Sequence, residues 1–114
     1  MRAIRSLIRT PEVIAIVGAN VFQDEANPGQ AAPYVVWSRQ IVPQMGLPRR
    51  PIADRETITV DLFARDEQQR DNLLTAIRDA LEPHGTIGNI QSLGKEGDTG
   101  LWRFTLDVDL FTAR

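Results

Sequence analysis

The sequence predicts an α+β fold: a mainly antiparallel four-stranded sheet with helices packed on one face, in the order α-β-β-α-β-β. Three observations predict it. Ile58, Val60 and Leu62 alternate with Thr57, Thr59, Asp61 and Phe63, a period of two that puts one apolar row on one side of a strand. After Ala64-Arg65 the period changes, and Leu73, Ala76, Ile77, Ala80 and Leu81 recur at helical spacing. At the far end, Trp102, Phe104, Leu106, Val108 and Leu110 point one way while Arg103, Thr105, Asp107 and Asp109 point the other.

Along the chain, Ile4, Leu7 and Ile8 share one helical face, with Arg2, Arg5 and Arg9 mostly elsewhere. Thr10-Pro11-Glu12 is a second helix start: a cap, a proline at the first helical position and an acid at the positive end. Gly18 is placed to end it. Residues 2–17 therefore read as two short helices or one kinked at Pro11. Asn20-Val21-Phe22 is a brief extended piece, and Gln23 to Pro33 a loop turning at Asn27-Pro28-Gly29. Tyr34 to Val42 is a strand apolar on both faces, with Val35, Trp37, Arg39 and Ile41 on one side and Tyr34 and Val36 on the other. Pro43 to Asp54 holds Pro43, Pro48, Pro51, Gly46 and the pair Arg49-Arg50, and reads as a long loop.

The central strand leads into a helix over 67–82. Asp66 is its cap, and Gln69 can bond back as in a capping box. Arg70, Asp71, Arg78 and Asp79 read as off the apolar stripe and solvated. Pro83-His84-Gly85 stops this helix. Thr86 to Leu93 is a weaker strand, Gly94 to Gly100 (with Lys95, Glu96 and Asp98) a polar hairpin tip, and Leu101 to Phe111 the last strand. The expected core is Ile58, Val60, Leu62, Leu73, Ile77, Leu81, Trp102, Phe104, Leu106 and Val108.

A length of 114 residues suits one domain, 1–114. A net charge of −2 makes no electrostatic case for a free-standing nucleic-acid binder. Without cysteine there is no disulfide, zinc-thiolate site or thiol nucleophile, which fits a reducing compartment. No apolar run approaches the ~20 residues that span a bilayer, and the Arg-rich start lacks the apolar core of a secretory signal.

Catalytic candidates are few. His84, the single histidine, reads as a turn residue near the negative end of a helix dipole. Asp107 and Asp109 resemble a carboxylate pair, but no third metal ligand is in view, and a solvated face that blunts a sheet edge is the better reading. Trp37 and Trp102 sit on core rows. Arg49-Arg50 is too small a patch to hold phosphate firmly. The sequence thus assigns no catalytic, cofactor-binding or metal residues. A small sheet with apolar residues on both sides points instead to assembly with a partner.

Gly18 before Val21-Phe22, then Pro33-Tyr34-Val35-Val36-Trp37 opening a strand, then Thr57 to Phe63 leading into the helix of Leu73, Ile77 and Leu81, carry a resemblance over roughly residues 3 to 111. The chain resembles the small tail-completion proteins of long-tailed phages, prophages and gene transfer agents, the tail terminator or head-tail joining family. The resemblance implies a structural virion protein with no cofactor and no catalysis. It implies a ring, hexameric in the particle, at the head-proximal end of the tail. There it ends tail-tube polymerisation and meets the tail-tube protein and the head connector or stopper. DNA passes through the lumen without specific binding, and no membrane is involved. The candidate interface residues are Thr57, Thr59, Asp61 and Phe63 on the sheet and Gln44, Met45, Leu47, Arg49 and Arg50 in the proline-rich segment. The alternatives are another neck protein, such as a connector stopper or tube-like subunit, and a small non-viral ligand-binding domain using His84.

Overall fold

The computed structural model describes residues 3–45, 51–97 and 99–113, with backbone alone for 44, 45, 51–54 and 111–113. Arg2, Gly46, Leu47, Pro48, Arg49, Arg50 and Asp98, each invoked above, lie outside the described residues. The elements are α1 (Ile4–Ile8), α2 (Pro11–Val17), β1 (Val21–Gln23), β2 (Tyr34–Met45), β3 (Pro51–Ala64), α3 (Glu67–Leu81), β4 (Thr86–Lys95) and β5 (Trp102–Ala113). One sheet holds all the strands, in the order β1-β2-β3-β5-β4.

Two features correct the expected architecture. The sheet has five strands and is mixed. Val21, Phe22 and Gln23 pair in parallel with Val35, Val36 and Trp37, so the brief extended piece is an edge strand. The segment Pro43 to Asp54 is also no simple loop. Pro43 pairs with Asp54 and Gln44 with Ala53, so the hairpin continues through most of it. Beyond Trp37, β2 has a strand partner on one side only among the described residues, because β1 pairs no further. Proline lacks an N–H, and a free strand edge tolerates that; Pro51 is the first residue of β3, the other permitted place. The resulting molecule is elongated, 52 × 28 × 23 Å.

The helices follow their local signals. The Thr10 side chain accepts from the Val13 N–H at 3.4 Å, and Gly18 ends α2 with φ 61°, where a side chain would be strained. The Asp66 carboxylate accepts from the Gln69 N–H at 2.7 Å. The Gln69 amide oxygen in turn accepts from the Arg65 N–H at 3.0 Å, one residue before the cap. The helices pack on one face of the sheet. Ile4, Ile8, Val13, Val17, Leu73, Ile77 and Leu81 meet Val35, Trp37, Ile58, Val60, Leu62, Leu106, Val108 and Leu110 in one buried cluster. Of the expected core residues, Trp102 and Phe104 are only half-buried. The turn after α3 presses against β5: a Cβ at Gly85 would collide with the Asp109 carbonyl oxygen and Leu110 Cδ2.

Arg70 reverses an expectation. It is 7% exposed rather than solvated. Its guanidinium lies 5.2 Å from the Trp102 ring centroid and 4.6 Å from that of Phe104. Nη1 donates to Ser92 Oγ at 3.1 Å, while Glu67 and Asp71 supply carboxylates at 3.5 and 3.3 Å. The side chain roofs the two aromatics that α3 leaves uncovered. Asp71, Arg78 and Asp79 are exposed, as expected.

Ile77 is fully buried under α3, so Ile77→Ala should cost about 2–5 kcal/mol in chemical denaturation. Gly85→Ala should cost about 1–3 kcal/mol through overpacking, with no loss of helix by circular dichroism. Arg70→Ala should cost about 1–2 kcal/mol, the range of a desolvated cation–π contact, and should move Trp102 fluorescence toward that of a wetter ring.

Candidate interface on the open sheet face

Residues of β3 opposite the buried row face away from the helices. Strand pairing aligns them across the sheet as Gln40–Thr57–Asp109, Ser38–Thr59–Asp107, Val36–Asp61–Thr105 and Tyr34–Phe63–Arg103. Four of the sequence-derived interface candidates, Thr57, Thr59, Asp61 and Phe63, thus form one column through the middle of this face, each half-buried. Gln44 and Met45 belong to the far end of β2 and are separate from that column. Leu47, Arg49 and Arg50 lie outside the described residues.

The face has two regions. At one end, Tyr34 stacks on Phe63 with centroids 4.5 Å apart and planes at 14°, and Phe22 meets Tyr34 edge-on at 6.3 Å. The Arg103 guanidinium covers Phe63 at 5.0 Å. Arg103 also bridges Asp61 at 3.3 Å and Glu96 at 3.4 Å. An arginine over an aromatic ring, held by two carboxylates, fixes this end. Burial pushes the Tyr34 phenol above its ordinary pKa of 10.0; the Glu96 carboxylate adds to that, and Arg103 opposes it.

At the other end, the Thr57 hydroxyl donates to Asp109 Oδ1 at 2.7 Å and the Thr59 hydroxyl to Asp107 Oδ1 at 2.9 Å. The expectation that these aspartates blunt a sheet edge is corrected, because β5 is an inner strand between β3 and β4. They are carboxylates oriented by neighbouring threonines.

The opposite face carries a charged pair too. Glu56, 4% exposed, meets Arg39 Nε at 3.3 Å. Sequence reading placed Arg39 on this face but did not name Glu56, although its alternation with Ile58 marks it as inward-pointing.

No group of three or more His, Cys, Asp or Glu side chains among the described residues could hold a metal ion. His84 is exposed at the end of α3. The groove beside it is lined by Arg78, Glu82, Gly85, Thr86, Ile87, Gly88, Asn89 and Ile90, and His84 is not among them. No described helix is long and apolar enough to cross a membrane.

Tyr34 is the single tyrosine, so ultraviolet titration reads it alone. Its phenol should ionise above pH 10 in the folded protein. An unfolded chain ionises first, near pH 10, and so binds fewer protons in the window between the two values. Stability should therefore fall as pH rises through that window, and Tyr34→Phe should remove this part of the alkaline loss.

The family model of tail completion protein gp17 matches residues 2–113. No curated protein sequence matches the chain. Among solved structures, a chain of a structure titled "Virion of native gene transfer agent (GTA) particle" matches with a TM-score of 0.70 at 15% identity, over 97% of this chain and 92% of that one. At that identity the likeness shows a shared fold. With nearly its whole length matched by the family model, the chain belongs to the tail completion protein gp17 family, structural proteins of the tail and neck of phage-like particles.

Proposed function

We propose that this chain forms a ring, of six copies in the particle, at the head-proximal end of the tail, where it ends tail-tube polymerisation and joins the tail to the head connector. The observation that carries this reading is the one-sided sheet. The helices cover one face, and the other keeps a column of half-buried aromatic, hydroxyl and carboxylate side chains with no helix over it among the described residues. Each copy therefore presents two unlike surfaces. Contact between unlike surfaces is head-to-tail, and it closes into a ring when the rotation per subunit closes. A single 12.8 kDa chain cannot encircle a DNA duplex, whereas a ring can.

The partners in this reading are other copies, the tail-tube protein and the connector or stopper, with DNA passing through the lumen. Thr57, Thr59, Asp61 and Phe63 supply one contact surface. The end of the β2–β3 hairpin, with Gln44, Met45, Leu47, Arg49 and Arg50, supplies another. The chain performs no catalysis and uses no cofactor. A net charge of −2 suits a passage that lets DNA slide without holding it.

Replacing Gln44–Arg50 with a two-residue Asn-Gly turn should leave folding intact, because the pairing of β2 with β3 over the buried cluster, from Tyr34 with Phe63 to Val42 with Arg55, lies outside that stretch. Particles carrying this variant should show unjoined heads and tails, or tails of uncontrolled length, by electron microscopy. Normal particle yield and tail length would refute the role given to the hairpin end.

A further inference from the structure

Of Asp61, Asp107 and Asp109 on the open sheet face, two have no cation partner among the described residues. Asp61 is paired with Arg103. Asp107 and Asp109 each receive one threonine hydroxyl and make no ion pair among the described residues. The hydroxyl fixes each carboxylate and leaves its second oxygen for another donor. The two lie two residues apart on one face of β5, a step of about 6.8 Å along a strand.

A matching pair of cations sits on the far side of the molecule. Arg5 and Arg9 are exposed and make no ion pair among the described residues. The Arg9 N–H donates to the Arg5 carbonyl at 3.0 Å, so the side chains of Arg5 in α1 and of its C-cap Arg9 start one helical turn apart, a rise of about 6 Å. The spacing of the cations thus matches that of the carboxylates. Elsewhere the helical layer has the wrong sign. The exposed charges of α3 and its C-cap are Glu67, Asp71, Asp79 and Glu82 against Arg78, and like charges would repel that surface from the acidic end of the sheet. The same argument disfavours a nucleic-acid backbone as the occupant of this face.

We infer that the open sheet face seats α1 of a second copy, with Arg5 and Arg9 of one chain against Asp109 and Asp107 of the next. This assignment rests on the ring reading above and specifies its contact. Because the two patches differ and lie on opposite layers of the fold, the contact repeats from copy to copy instead of stopping at a pair. Salt should weaken it, since paired charges near a surface are screened.

The chain has no cysteine, so an engineered pair reports without background. Arg5→Cys combined with Asp109→Cys, treated with a short bismaleimide in assembled particles, should give a series of cross-linked multimers on denaturing gels. Each single-cysteine variant should stay monomeric. In parallel, Asp107→Arg with Asp109→Arg should lower incorporation into particles at least 10-fold, and adding Arg5→Asp with Arg9→Asp should restore it. Circular dichroism of each purified variant checks that it folds.

Two failures are distinguishable. If electron-microscopic reconstruction of the particle neck shows several copies around the axis while the cysteine pair gives only monomer, the α1–sheet contact is overturned and the ring stands. If the reconstruction shows a single copy, the ring reading falls, and this contact with it. Charge reversal with unchanged incorporation overturns the contact as well.

Discussion

The structure depends on β3 having a partner on both sides along almost its whole length. From Ala53 to Ala64 it pairs with β5, and over Tyr34 to Gln44 β2 pairs with it from the other side. A strand held this way has both sets of backbone groups satisfied, so its side chains must go cleanly to one face or the other. Ile58, Val60 and Leu62 enter the buried cluster, and Thr57, Thr59, Asp61 and Phe63 form the open column. Slipping the register by one residue would exchange the two sets. The apolar floor under α3 and the polar face opposite are therefore one constraint seen from two sides.

That constraint was legible in the sequence because period two is unambiguous over Thr57 to Phe63. The same holds for α3, whose cap at Asp66 and stripe from Leu73 to Leu81 appear where the pattern placed them. Other elements depend on long-range pairing. The strand character of Val21 to Gln23 comes from pairing with Val35 to Trp37, and three residues carry no period of their own. The continuation of β2 and β3 past Val42 and before Arg55 was masked by Pro43, Pro48, Pro51 and Gly46, which read as loop residues. Two of these prolines sit where a strand can accommodate them.

Arg70 shows a different limit. Three residues before Leu73, it continues the apolar stripe by one position, and only its charge argued for solvent. Long cationic side chains bury their stems and stack their planar heads on aromatic rings. Trp102 and Phe104 at the start of β5 were the signal that such a roof was needed. In the candidate interface, the sequence identified the column Thr57, Thr59, Asp61 and Phe63. It could not supply the partners across the sheet, Arg103, Asp107 and Asp109, because pairing register is set by contacts 40 to 52 residues away in the chain, from Phe63 with Arg103 to Thr57 with Asp109.

The one-sided pairing of β2 beyond Trp37 divides the molecule mechanically. Over Val35 to Trp37 the strand is flanked on both sides and lies over buried side chains. From Ser38 onward every second amide faces away from β3. Local opening costs least where backbone hydrogen bonds are few and buried apolar contacts are sparse. Amide exchange should therefore be slower over Val35 to Trp37 than over Ser38 to Ile41. Among the described residues, the stretch of β2 beside β1 is the one held on both edges, so the register beneath the helices is where the hairpin is most firmly fixed.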